Sequence, residues 1–212
     1  AGTILFFILE IKNSIQGFPL HTKLLTSVFQ SITARTAGFN TVDFGSLTNP
    51  TLFVFICLMF IGASPASCGG GIKVTTAIVF FSLLRSRFQN QDMVNLFNRR
   101  IHTQVVSKAI SIGFFSLLFI LAGTMLLLIT ELAGVAHTES RGMFLELLFE
   151  TTSAFGTVGL SVGITPTLTS LGKIIITLMM FIGRLGPLTV VMTIGRKQKQ
   201  NFKYAQDRVL IG

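Results

Sequence analysis

Apolar residues gather in blocks along this chain, with polar, glycine-rich or amphipathic stretches between them. Ala109 to Thr130 is 22 residues without a charge. At about 1.5 Å per helical residue such a run reaches roughly 33 Å, enough to cross a hydrocarbon core of about 30 Å. Ile174 to Gly195 is as long and carries one charge, Arg184. Two shorter blocks, Leu52 to Ile61 and Val74 to Leu84, flank a segment rich in glycine and serine. Neither of these spans alone. The pattern predicts a multi-pass, all-α membrane protein.

The blocks repeat. Phe29-Gln30-Ser31-Ile32-Thr33-Ala34-Arg35-Thr36-Ala37-Gly38 in the first half has its counterpart in Phe149-Glu150-Thr151-Thr152-Ser153-Ala154-Phe155-Gly156-Thr157-Val158-Gly159 in the second. Gly38 and Gly159 are 121 residues apart, as are Gly62 and Gly183. Two coincidences at one offset predict two copies of one unit: outer helix, short pore helix, re-entrant loop, inner helix. In the first copy Ala1 to Glu10 ends the outer helix. Thr22 caps a pore helix running to about Ala34, and Pro50 starts the inner helix. In the second copy Ser107 to Thr130 is the outer helix, Ser140 caps the pore helix, and Thr169 to Ile194 is the inner helix. Met93, Leu96 and Phe97 share one face of Arg87 to Arg100, predicting a cytoplasmic surface helix between the copies. The organisation reads as 1–86 first repeat, 87–106 linker, 107–195 second repeat and 196–212 tail.

Composition agrees with a membrane setting. Mean hydropathy is +0.71 and 12% of residues are charged, against about a quarter in soluble domains. The net charge of +9 reflects topology more than nucleic-acid binding. Ten of the 17 basic residues sit in two clusters, Arg85 to Lys108 and Arg196 to Arg208, which places both on the cytoplasmic side and the C-terminus with them. Lys12, Lys23, Arg35, Arg141 and Lys173 fall in segments expected at or near the outer surface, among acidic residues. Cys57 and Cys68 have no metal-ligand spacing. His21, His102 and His137 are scattered among polar neighbours and read as solvated loop residues.

The chemistry lies in the loops. A dehydrated cation needs oxygens in place of its water shell, and irregular backbone supplies carbonyls where it lines a cavity. Thr157-Val158-Gly159 equals the first three residues of the potassium-channel filter Thr-Val-Gly-Tyr-Gly, and Thr36-Ala37-Gly38 is a close variant. With the following Phe39 and Leu160, these form the candidate ion-binding set. Gln30 and Glu150, near the pore-helix ends, are candidates to brace the filters.

Gly62-Ala63-Ser64-Pro65-Ala66-Ser67-Cys68-Gly69-Gly70-Gly71 cannot continue a regular helix. Its freed backbone groups must face protein or a watery cavity. Lys73 after the glycines lacks the spacing and the strand that a phosphate-binding loop requires. Arg184 lies 12 residues from Arg196, about 18 Å along a helix, too far for easy snorkelling. Two readings stand for it: an arginine tied to carbonyls between helices, or a charge beside the pore that acts as a barrier and braces the loop.

The strings FQSITARTAGFNTVDF, GASPASCGGGIKVTT, FETTSAFGTVGLSVGITP and GRLGPLT resemble the Ktr/Trk/HKT superfamily of potassium transporters, most closely KtrB-type subunits. The resemblance covers essentially the whole chain. It implies a pseudo-fourfold pore of four repeats, with Gly38 and Gly159 as the filter glycines of the third and fourth. A preceding half with the first two repeats is expected, since Ala1 opens mid-helix. The resemblance also implies a gate below the filter at Gly62, Ser64, Pro65, Gly69, Gly70, Gly71 and Lys73, with Arg184 facing it. It implies inward potassium conduction across the cell membrane by a homodimer on a cytoplasmic nucleotide-binding ring. That ring, not this chain, would bind ATP, ADP or NAD. The chain itself needs no cofactor beyond the transported K+, and sodium dependence is a family property that these residues do not decide. A sodium- or ammonium-permeable relative is the alternative. An intramembrane enzyme is a remote one, because no His, Asp or Glu lies in either uninterrupted span.

Overall fold

The computed structural model describes residues 2–64, 67, 69–89, 94–96, 99–187 and 189. The first repeat runs α1 (Gly2–Glu10), α2 (Leu20–Thr33), a loop, and α3 (Asn49–Phe60), with α4 (Val74–Phe88) beyond the break. The second runs α5 (Thr103–Leu132), α6 (Met143–Gly156), a loop and α7 (Ser170–Leu185). Short 3-10 turns at Phe44–Ser46 and Thr165–Thr167 precede the two inner helices at the same 121-residue offset.

Several predicted boundaries move. The pore helix α2 starts behind Pro19, a residue that supplies the extended entry but no side-chain cap, so Thr22 lies inside the helix. The pore helix α6 starts behind Gly142 at φ +90°, and Ser140 bonds backward to the Ala136 carbonyl instead of capping it. Thr169 does cap α7, its hydroxyl accepting from the Gly172 amide at 3.1 Å. That inner helix stops at Leu185, because Gly186 turns to φ +86° ahead of Pro187. Pro187 and Thr189 are helical again beyond this turn, and the rest of the predicted continuation to Ile194 lies outside the described residues.

The predicted linker helix is not formed. α4 carries on to Phe88, and Asn95–Leu96 then pairs antiparallel with Arg99–Arg100 as the two-residue strands β1 and β2. The apolar spacing was short, and Asn95 is a poor helix former. Met93 and Phe97 of that expectation, and the tail 196–212, lie outside the described residues.

Polarity is turned inside out along α5. Its large apolar residues, including Phe114, Leu117, Leu121, Met125 and Ile129, face outward. Ser116, Gly123 and Thr124 face inward, and Thr124 and Thr151 share a hydroxyl hydrogen bond at 2.7 Å. Small and hydroxylated residues at helix contacts with bulky apolar ones outside are the pattern expected in lipid. α5 is the one described helix long and apolar enough to cross a membrane by itself. The pore helix α6 packs against α3, α5 and α7 and is buried from Phe149 to Gly156. Phe44 ties the repeats together, its ring packing on Phe55 at 5.0 Å and on Phe149 at 5.6 Å.

Glu10 and Glu131, also 121 apart, end the two outer helices. The Glu10 carboxylate is fully buried and accepts from the Thr48 amide at 3.0 Å, the Thr48 hydroxyl at 2.9 Å and the Thr51 hydroxyl at 2.5 Å. Glu131 accepts from the Thr169 hydroxyl at 2.6 Å and its amide at 3.1 Å. In both repeats the end of the outer helix thus holds the start of the inner one, where a carboxylate also suits the helix dipole.

Candidate ion-conduction site

The two Thr-X-Gly segments adopt one backbone. Thr36 has φ +71° and Thr157 φ +50°, and these are the only non-glycine residues with positive φ among the described ones. Gly38 follows at +77° and Gly159 at +89°. A β-branched residue in the left-handed region is strained and persists only where its surroundings over-determine it. Here the same strain recurs at the same offset.

The segments also meet. A methyl group placed on Gly38 would stand 2.6 Å from the Val158 carbonyl oxygen, and one on Gly159 would stand 3.6 Å from the Gly38 α-carbon. At Gly38 glycine is therefore required twice over, for its dihedral and for the close approach, and at Gly159 for its dihedral. Val158 and Leu160 are buried behind the second segment, whereas Ala37 and Phe39 are exposed on the first.

Gln30 and Glu150 hold the strands that leave these segments. Glu150 Oε1 accepts from the Ser161 hydroxyl at 2.5 Å and the Val162 amide at 3.0 Å, and Oε2 from the Thr165 hydroxyl at 2.8 Å. Gln30 does the same with its amide turned so that Oε1 faces the backbone, accepting from the Thr41 and Val42 amides at 3.2 Å each. Both partners lie past the Gly38 and Gly159 positions.

Below the segments the inner helix of the first repeat opens. The two ends of the break are zipped in parallel at Ile61 and Ile72, with the Gly62 amide donating to the Ile72 carbonyl at 2.9 Å and the Val74 amide to that of Ala63 at 3.3 Å. The loop then rises to the two Thr-X-Gly segments. The Gly70 amide donates to Thr157 Oγ1 at 2.8 Å, and a methyl on Gly69 would sit 2.9 Å from Thr36 Oγ1. Gly71, at φ +71°, lies under Gly156. Lys73 closes the loop from beneath, its ammonium donating to the Ser67 carbonyl at 3.2 Å and the Gly69 carbonyl at 2.5 Å. Ser64 accepts a turn bond from Ser67 at 3.1 Å. Pro65 and Cys68 lie outside the described residues.

Gly62 and Gly183 share an offset but not an environment. α3 ends before Gly62, whereas α7 runs through Gly183, whose bare α-carbon lies against the Phe155 carbonyl at the end of α6. Arg184 follows in the last turn of α7, level with that pore-helix end, with its side chain exposed in this chain. Arg35 is displaced from its expected place near the outer surface. It sits at the inner end of α2, and its guanidinium donates to the carbonyls of Ile61 and Gly62.

The profile of the TrkH family, described as a cation transport protein, matches residues 1–204. The chain belongs to this family. It is 42% identical over 208 residues to the Ktr system potassium uptake protein B of Bacillus subtilis, covering 97% of this chain and 45% of that protein. It is 32% identical over 219 residues to the potassium/sodium uptake protein NtpJ of Enterococcus hirae, covering all of this chain and 47% of that protein. The chain thus spans about half the length of these curated relatives. Among solved structures it is similar to the potassium transporter TrkH from Vibrio parahaemolyticus, with a TM-score of 0.74, 18% identity, and coverage of 92% of this chain and 42% of that one. The fold is that of an all-α membrane transporter of the TrkH family, and the family is one of cation transporters and not of enzymes.

Proposed function

We propose that the chain forms two walls of a selectivity filter for potassium uptake across the cell membrane, gated by its intramembrane loop. The observation that carries this reading is the pair of facing Thr-X-Gly segments with matching left-handed backbones at Thr36, Gly38, Thr157 and Gly159. Successive residues in alternating conformations are what turning carbonyls toward one axis requires. The pore helices aim their negative C-terminal ends at the same place, a favourable field for a cation.

Phe39 and Leu160 complete the filter set, while Gln30 and Glu150 fix its outward strands, so ion spacing is set by covalent geometry and buried hydrogen bonds. Directly beneath, the Gly62 to Gly71 loop fills the path, with Lys73 and Arg184 adding positive charge there. Flow requires the loop to leave Thr157 and Thr36. Two further repeats would supply the other walls, and the family resemblance supports a homodimer on a cytoplasmic nucleotide-binding ring, with the basic tail on that side.

The printed name of the Enterococcus relative includes sodium, which favours one second reading: a pathway that carries or depends on sodium. Potassium and sodium uptake by proteoliposomes containing the intact protein separates the two. Potassium flux that persists without sodium supports the first reading. Equal entry of both ions supports the second, and entry of neither removes both.

A further inference from the structure

Breaking a helix in the membrane leaves its last carbonyls without amide partners. At the end of α3 four carbonyls can be followed. The Cys57 carbonyl takes the Ile61 amide at 3.4 Å, and the Phe60 carbonyl takes the Ile72 amide at 3.4 Å. The next two, Ile61 and Gly62, are taken by Arg35. Both bonds come from one nitrogen of the guanidinium fork, Nη1, the one to Gly62 at 3.5 Å, and a cation is favoured at the negative end of a helix.

The second repeat serves as an internal control. There α7 is unbroken at the matching level, Gly183 packs directly on the Phe155 carbonyl, and no arginine occupies the end of the pore helix: Phe155 and Gly156 stand there. The arginine accompanies the break. It also immediately precedes Thr36, whose hydroxyl lies against Gly69 at the far end of the same loop.

We infer that Arg35 is a positioning residue that fixes the upstream hinge of the gate loop, Ile61–Gly62, to the inner end of the first filter, and so holds the loop in its closed place. This rests on the reading of that loop as a gate. Without the fork, the hinge carbonyls lose their partner and the loop departs from the filter more often. Lysine keeps the charge with a single flexible head, so Arg35→Lys should be intermediate between the parent and Arg35→Gln.

The test uses the intact protein in lipid, with two readouts. Amide hydrogen exchange across 60–74 should quicken in the order parent, Arg35→Lys, Arg35→Gln, reaching about ten- to a hundredfold for glutamine, the scale of one lost charge-assisted hydrogen bond. Potassium flux should rise in the same order with the potassium-to-sodium ratio unchanged. It should rise no further when Arg35→Gln is combined with removal of Gly69–Gly71, because both act on one closed arrangement. Parental exchange in both variants, or a gain that adds fully to the loop deletion, would overturn the inference. If Arg35→Gln does not fold, Arg35→Lys carries both readouts. A parent that moves no potassium would defeat the transport reading while exchange still decides the role of Arg35.

Discussion

The amide of Gly70 donates to the hydroxyl of Thr157 at 2.8 Å, joining residues 87 apart in the chain. One belongs to the broken inner helix of the first repeat and the other to the filter segment of the second. The bond makes loop position and filter conformation one mechanical unit. Thr157→Val removes the acceptor while keeping the β-branched shape, and leaves the Gly70 amide unpartnered. Flux through the intact protein in proteoliposomes should rise, as the closed loop loses one anchor. Flux at or below the parental level with normal folding would mean that this bond does not hold the gate.

Shortening Gly69-Gly70-Gly71, or making Arg184→Ala, should likewise raise flux, since each removes part of the barrier beneath the filter. The two gains should fall short of their sum if loop and arginine form one arrangement. A loop deletion that leaves flux unaltered would reduce the break to a packing device.

Glu150 accepts three hydrogen bonds and Glu10 five, and the two carboxylates predict different losses. Glu150→Ala frees Ser161, Val162 and Thr165, which lead away from the filter. It should lower potassium-over-sodium discrimination more than it lowers thermal stability. Glu10→Ala leaves the Thr48 amide without its partner at a fully buried site, while the Thr51 hydroxyl keeps the Thr48 hydroxyl. It should cost about 1–3 kcal/mol of stability, read as a lower melting temperature in detergent, with ion discrimination retained. Glu131→Ala, at the exposed equivalent, should cost less. A reversed pattern would contradict the division between filter support and helix anchoring.

The repeat was legible because it is written twice: Thr-X-Gly and the inner-helix glycines share one offset, and the fold keeps them in register. The same offset also pairs Glu10 with Glu131 and Thr48 with Thr169, so the outer anchors too are written twice. Arg35 was misplaced for a physical reason. Its depth depends on how far α2 descends and where α3 breaks, and hydropathy sees neither. The linker failed differently, since Asn95 and Leu96 pair as a strand where three apolar residues at helical spacing predicted a helix. Helix starts at Pro19 and Gly142 were missed because entry there is set by backbone dihedrals instead of a capping hydroxyl.

Gly159→Ser tests the filter by perturbation. A side chain at φ +89°, opposite Gly38, strains the segment and changes ion spacing, so potassium-over-sodium discrimination should fall in flux assays at matched protein levels. Unchanged selectivity would remove Gly159 from the filter.

The most direct test is to locate the ion. Crystals of the intact protein grown with thallium or rubidium in place of potassium give anomalous density wherever the cation rests. The account predicts peaks on the axis bordered by Thr36 to Phe39 and Thr157 to Leu160, between Gly38 and Gly159, which disappear when the ion is exchanged for sodium. Ordered peaks elsewhere in the protein, with none between those two glycines, would contradict it.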